Sequence, residues 1–293
     1  MKRILSIPLL LAACSPAAWA FLRLEAPSGA AVEITARALQ PGEMLLAVFY
    51  PSGEGQEAKL SFLDKDYDFL PGGPSGRRFA LVGVDFLTPP GSYKVEVVIL
   101  DAGRKEAVQK YLRLQERSFS RQNIKIDERL VIAPPEAEER LARERRILAE
   151  VYRSVIPEWL GSGGFAAPLP DKPSPNFGEH RLYNGVPRSR HTGVDISAAQ
   201  DSPIWASNSG RVALAMDLYY SGLTVIIDHG LNIFTVYCHC SRLDVQEGQS
   251  VGRNAVIAAV GSTGRSTGSH LHWSVRARGA RVDPLSLLSL GLE

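Results

Sequence analysis

Between residues 21 and 115, apolar and polar positions alternate in short runs broken by proline and glycine. Ala31–Ala36, Met44–Tyr50 and the runs 78–84 and 93–100 each show the side-chain period of two that marks a strand. Pro71-Gly-Gly-Pro74 and Thr88-Pro-Pro-Gly91 are turn signals between such runs. This region reads as all-β, and an Ig-like β-sandwich is the natural fold for it. It contains no cluster of reactive side chains. The pattern then changes. Pro134-Pro135 opens a helix expected over 135–155, with Glu136, Glu138 and Glu139 complementing the helix dipole. Leu141, Leu148, Val151 and Val155 form its apolar stripe. This helix belongs to a linker, 116–164, that ends in Gly161-Ser-Gly-Gly164. Prolines 168, 170, 173 and 175 lead into a last domain, 165–293, where strand patterning returns. The runs 223–228 and 233–239 read as strands joined by a hairpin loop, His229-Gly230-Leu231-Asn232, and 269–275 reads as another strand. The fold class expected is mostly β: a sandwich, a connecting helix and an antiparallel β-sheet domain.

The last domain concentrates the candidate chemistry. His191 and Asp195 lie in His-Thr-Gly-Val-Asp, His239 follows Tyr237-Cys238, and His270 and His272 form His-Leu-His. Alternation puts His270 and His272 on one face of their strand, with Leu271 and Trp273 on the other. Two imidazoles on one face suit a site better than a core. Fully extended, His191 and Asp195 would lie roughly 13 Å apart at about 3.3 Å per residue, too far for one ion. Gly193 between them permits a bend or bulge. Strict alternation along 233–239 would place His239 with Ile233, Thr235 and Tyr237, and Cys238 and Cys240 on the opposite, packed face. Imidazole nitrogen and carboxylate oxygen are both good zinc ligands. His180 reads as a loop or surface residue. His229 and Asp228 read as turn residues, and Gly261-Ser-Thr-Gly264 reads as a glycine-rich turn because no Gly-Lys-Ser/Thr follows. Tyr219 and Tyr220 read equally well as cleft lining or strand-end packing.

The segments His191-Thr-Gly-Val-Asp195, 224–230, 235–239 and Thr267-Gly-Ser-His-Leu-His-Trp273 resemble the lysostaphin/LytM-type zinc metallopeptidases of bacterial cell walls. The likeness runs from about Phe165 to Pro284 and keeps the order of the motifs. It implies a LytM-type metallopeptidase domain in which His191, Asp195 and His272 hold Zn²⁺, with His239 and His270 catalytic. His270 would act as acid–base and His239 would stabilise the developing oxyanion, or the two would exchange roles. The implied activity is a zinc metalloendopeptidase, a peptidoglycan hydrolase that cuts peptide cross-links. The alternative is a non-catalytic LytM-type activator of another wall hydrolase, although such relatives typically lack part of the metal set. Three departures stand out. In the segment 176–181 the family more often has arginine at position 180, Cys240 replaces a usual leucine, and Ser269 stands where proline is common.

Composition narrows the partners. The 293 residues carry a formal charge of only +2 and no dominant Lys/Arg block, so nucleic-acid binding is not supported. Residues 1–20 read as a signal segment: Lys2 and Arg3, an apolar stretch over 4–13, and a small-x-small site at Ala18-Trp19-Ala20. Leu11-Ala12-Ala13-Cys14 also resembles a lipoprotein box, and lipidation at Cys14 would be the one route to a membrane. Either way the chain is expected to be exported to the periplasm or cell envelope. Cys238 and Cys240 are expected as free thiols, since a disulfide two residues apart on one strand would be strained.

Overall fold

The computed structural model describes residues 20–72, 77–125 and 133–292. Residues 1–19, with Cys14, and part of the 71–74 turn lie outside the described residues. The chain opens on β1 (Ala20–Glu25), β2 (Ala31–Ala36), β3 (Met44–Tyr50), β4 (Glu57–Phe62), β5 (Lys65–Asp68), β6 (Arg78–Gly83), β7 (Gly91–Asp101) and β8 (Arg104–Leu114). They form two four-stranded sheets, in the orders β1-β2-β3-β6 and β5-β4-β7-β8. The sheets face one another across a core that includes Phe49, Leu60, Val82 and Val97. The chain changes sheet after β3, after β5 and after β6.

A sheet with one face in water would alternate strictly, but β3 is apolar from Met44 to Phe49 without a break. The cause is burial on both faces. Leu45, Ala47 and Phe49 enter the sandwich core. Met44, Leu46 and Val48 pack, with Phe79 and Leu81 of β6, against Phe165, Ile233, Val275 and Val282 of the last domain. A polar cluster sits beside this apolar contact. Glu43 is fully buried and takes Arg37 Nη2 at 2.6 Å and Arg117 Nη1 at 3.4 Å. The same guanidinium groups reach Asp283 Oδ2 at 2.9 Å and 2.7 Å. Replacing Glu43 with alanine leaves two arginines short of a partner. Arg37 is a third exposed, so the expected cost is about 2 kcal/mol, below the 3–5 kcal/mol of a fully buried pair. Denaturant unfolding of Glu43→Ala checks it, and a loss under about 0.5 kcal/mol would show that the cluster contributes little to the docking.

Strand β9 (Arg121–Ile124) arises inside the stretch expected as linker. A 3₁₀ turn at Pro135–Ala137 then leads into α1 (Glu138–Arg153). The helix was expected to reach 155, but it stops at Arg153, and Val155 lies beyond it, 60% exposed. Leu148, Val151 and Tyr152 pack on Ile226, Phe234 and Val236. Glu144 sits on the same buried side, accepting from the Tyr219 backbone N–H at 3.0 Å and from Arg140 Nε at 2.6 Å.

The last domain comprises β10 (His180–Tyr183), β11 (Val186–Arg190), β12 (Gly193–Ser197), β13 (Pro203–Trp205), β14 (Gly210–Leu218), β15 (Gly222–Asp228), β16 (Ile233–Leu243), β17 (Ser250–Val251), β18 (Val256–Val260), β19 (His270–Ala277), β20 (Ala280–Val282) and the short helix α2 (Pro284–Leu288). Strand β10 runs between β11 and β9, pairing in parallel with β9. The main sheet has the order β12-β19-β16-β15-β14-β17, with β13, β18 and β20 attached at its sides. One face of this antiparallel sheet is a core holding Val194, Tyr237, Leu271 and Trp273. Its other face carries the cleft, with α1 laid over part of it. No helix among the described residues is long and apolar enough to cross a membrane.

Candidate metal centre

Antiparallel register brings the candidates together. Asp195 on β12 lies directly opposite His272 on β19, and His272 lies opposite Cys238 on β16. Opposed residues of an antiparallel pair project to the same face. His191 sits just before β12, where the chain leaves the strand direction, so its ring folds back onto Asp195. His191 Nε2 is 3.0 Å from Asp195 Oδ1 and 2.8 Å from His272 Nδ1, and His272 Nδ1 is 3.0 Å from Asp195 Oδ1. Gly193 serves this arrangement differently from the expected bend. It lies in regular pairing within β12. A Cβ there would meet the Trp273 carbonyl oxygen at 2.4 Å and the His272 ring at 2.8 Å. The glycine lets β19 approach closely enough for His272 to reach Asp195.

Around the three groups lies a layer of orienting bonds. His191 Nδ1 donates to the Asn176 carbonyl at 2.9 Å, which leaves Nε2 as a bare lone pair. The outer oxygen of Asp195, Oδ2, accepts from Asn176 Nδ2 at 3.0 Å and from Arg181 Nη2 at 2.6 Å. The other side of Arg181 faces Glu179 at 3.6 Å, and Glu179 in turn accepts from Ser120 at 2.9 Å. Burial alone would raise the Asp195 carboxyl, but hydrogen bonds and charge from His191 and His272 outweigh it and hold it below the usual carboxylate range. Burial pushes His272 down to about 4, against the pull of Asp195. Near neutral pH the carboxyl is therefore ionised and the His272 imidazole neutral, the state in which each offers a lone pair.

The other two histidines flank this cluster. The His239 ring is 4.9 Å from that of His270 and 6.1 Å from that of His272, centroid to centroid. His239 Nδ1 donates to the Thr263 carbonyl at 2.8 Å. His270 Nδ1 donates to the Gly268 carbonyl at 2.8 Å, and its Nε2 is 3.7 Å from Asp195 Oδ1. Both rings thus turn Nε2 toward the cleft. Burial, then the neighbouring His272 and His270, lower His239 to about 3.

The alternation expected along 233–239 fails at one point. His239 has φ +63°, and β15 and β16 change register between Leu223 and Val225. This bulge reverses the parity of β16. Tyr237 belongs to the core below the sheet, whereas Phe234, Val236 and Cys238 face the cleft side under α1. His239 reaches the cleft because of the bulge, and Cys240 drops into the core. The two cysteines therefore do not share a face, and Cys238 is on the cleft side, 4% exposed. Burial pushes its thiol up to about 12 and the Cys240 thiol higher still. Both sulfurs are free. Cys238 and Cys240 are expected to resist alkylation in the native protein and to react on unfolding. Mass-spectrometric mapping that found either one modified under native conditions would contradict this burial.

The remaining candidates take structural places. His229 is fully buried, bonding the Ser209 carbonyl and Thr235 Oγ1 at 2.8 Å each. Asp228 accepts from the Gly230 N–H at 2.8 Å in the hairpin turn. His180 begins β10 and points away from the cleft, beside Arg190 and Phe119. The guanidinium at Asp195 comes instead from Arg181. Tyr220 lines the cleft with Arg265 stacked 4.6 Å from its ring, while Tyr219 lies against Arg140. The 261–264 turn is a support for His239, with Thr263 also donating to the Cys240 carbonyl at 2.8 Å. The roles of Asn176, Arg181 and Thr263 went unassigned in the sequence.

The chain can now be set beside known proteins. Residues 189–284 match the model of Peptidase family M23. Peptidoglycan DD-endopeptidase ShyA of Vibrio cholerae is 36% identical over 113 residues, which are 38% of this chain and 26% of that one. DD-carboxypeptidase/endopeptidase Mpg of Neisseria meningitidis is 41% identical over 97 residues, 33% of this chain and 22% of that one. The match thus spans about a quarter of the length of these relatives. A crystal structure of a Pseudomonas aeruginosa protein assigned to peptidase M23 superposes with a TM-score of 0.64 at 28% identity, covering 87% of this chain and 96% of that one.

Proposed function

From a chain whose residues 189–284 form a peptidase M23 domain, we propose that this protein is an exported zinc endopeptidase that hydrolyses peptide cross-links of peptidoglycan. The observation that carries the reading is the convergence of His191 Nε2, Asp195 Oδ1 and His272 Nδ1 within 3.0 Å of one another, with two further imidazoles turned to the same cleft. Two nitrogens and one carboxylate oxygen fit zinc, and a three-ligand set is the pattern of catalytic and not structural sites. Bound there, zinc would polarise the scissile carbonyl and lower the pKa of a water toward about 7.

The rest of the chemistry falls to the chain. Asp195 is locked by Asn176 and Arg181, so it presents one oxygen and cannot rotate away. His270 Nε2 accepts the proton of the attacking water and returns it to the departing amine, since its Nδ1 is already committed to a backbone carbonyl. His239, low in basicity from burial, stays neutral near pH 7. With its Nδ1 proton held by the Thr263 carbonyl, its Nε2 is an acceptor that orients the attacking water. The 20-residue leader supplies export, and the sandwich, docked far along the sheet from His270, leaves the cleft face of β12 and β19 uncovered by its own strands.

Incubating the purified protein with isolated sacculi and weighing the released fragments tests the reading. Cross-linked muropeptides should fall and uncross-linked ones rise. Intact cross-links on every sacculus type, with stimulation of a second hydrolase added to the mixture, would support the activator reading instead.

A further inference from the structure

We infer that the cavity beside the metal centre is a specificity pocket for a peptide bearing a free carboxylate, with Arg276 as its anchor and α1 as its wall. The inference rests on the peptidase reading for what enters the cleft, and on separate observations for the choice of charge. Strand β19 presents His270, His272, Ser274 and Arg276 in succession on the cleft face, each partly exposed, between residues buried below. The cleft therefore continues along the strand from the metal centre to Arg276, a span of roughly 13 Å from His272 at about 3.3 Å per residue.

A cavity of about 260 Å³ fills this span. Its lining includes four arginines, Arg181, Arg190, Arg265 and Arg276, and no aspartate or glutamate. Arg181 is committed to Asp195 at 2.6 Å. Arg276 has no carboxylate within ion-pair reach among the described residues, and its guanidinium lies 4.3 Å from the centre of the Tyr152 ring. Tyr152 and Leu148 come from α1, which lies outside the matched segment 189–284 and closes the far side of the pocket. The ring contact and a side-chain hydrogen bond with Tyr152 hold the guanidinium in place, and its remaining N–H groups suit a planar, bidentate partner. A carboxylate has that shape and the opposite charge. Apolar Leu148 and Val236 on the walls leave room for the aliphatic stem that carries the carboxylate.

The test uses the mature full chain, its Arg276→Gln and Arg276→Lys variants, and two synthetic cross-linked stem-peptide dimers that differ only in a free carboxylate or its carboxamide. Hydrolysis and equilibrium binding are both measured. The parent chain is expected to prefer the free acid by about tenfold or more in kcat/KM, mainly through KM, as a charge-assisted pair of about 1.5–3 kcal/mol implies. In Arg276→Gln that preference should shrink toward unity, while Arg276→Lys restores part of it. Equal treatment of acid and amide by the parent chain would overturn the inference. So would a preference that survives Arg276→Gln in a variant with parental melting temperature. If neither dimer is cut, the peptidase reading fails, and the binding preference for acid over amide still decides the pocket on its own.

Discussion

Asp195→Ala protein is expected to purify with far less than the about one zinc per chain expected of the parent, and to lose nearly all hydrolysis of wall peptides. The carboxylate does three things at once. Its Oδ1 faces the His191 and His272 imidazoles at 3.0 Å, its charge keeps the cluster attractive to a cation, and its Oδ2 holds Arg181 and Asn176. Removing a partner of a ligand typically costs about 10–100-fold in metal affinity, and removing the ligand itself should exceed that. Alanine also leaves the Arg181 guanidinium without its closest partner, so some stability goes as well. Asp195→Asn separates the effects, because it keeps the shape and one hydrogen-bonding oxygen but not the charge. Metal analysis after exhaustive dialysis is the measurement. Stoichiometric zinc in Asp195→Ala would move the carboxylate out of the ligand set.

The second large effect concerns the two flanking imidazoles. His239→Ala and His270→Ala should each keep zinc and lose hydrolysis by about 10²–10⁴, the usual contribution of a positioned acid–base group. Neither ring nitrogen enters the tight triangle formed by His191, Asp195 and His272. The Nε2 of His270 stands 3.7 Å from Asp195, against 3.0 Å for the nearer pair. The carbonyl partners of the two rings differ in kind. Thr263 is tied to β16 through the Cys240 carbonyl, whereas Gly268 lies in an exposed turn, so His270 has the freer ring for proton transfer. A larger loss in His270→Ala than in His239→Ala would match that difference. Loss of the metal itself from either variant would show that the ring is a ligand.

Much of this site was legible in the residues, and the part that was not has a physical cause. The run at β2 could be bounded from alternation, β3 showed as an unbroken apolar run, and Pro134-Pro135 marked the turn that leads into α1. His270 and His272 share a face because nothing interrupts the pleat of β19. His239 faces the cleft as expected, but Tyr237 and Cys240 lie on the opposite face from Cys238, because a bulge with a positive φ at a histidine leaves no glycine in the sequence to announce it. The glycines that accommodate the bulge lie elsewhere. Gly222 packs on Thr263, and Gly261 packs on Ser241 and the carbonyl of His239, both close in space and distant in sequence. The contacts that fix Asp195 come from Asn176 and Arg181, in a segment noted in the sequence only for its departure at position 180. Their importance depends on a fold-back that local patterning does not encode. The strand Arg121–Ile124 was hidden for the same reason, since it gains its identity by pairing with β10, some sixty residues later.

The most direct measurement is a zinc titration of chelator-treated protein acting on isolated sacculi. Release of uncross-linked fragments should be near zero without metal and rise in proportion to added zinc until about one equivalent per chain is bound. Cross-link cleavage that persists unchanged after the metal is removed would contradict a zinc centre at His191, Asp195 and His272.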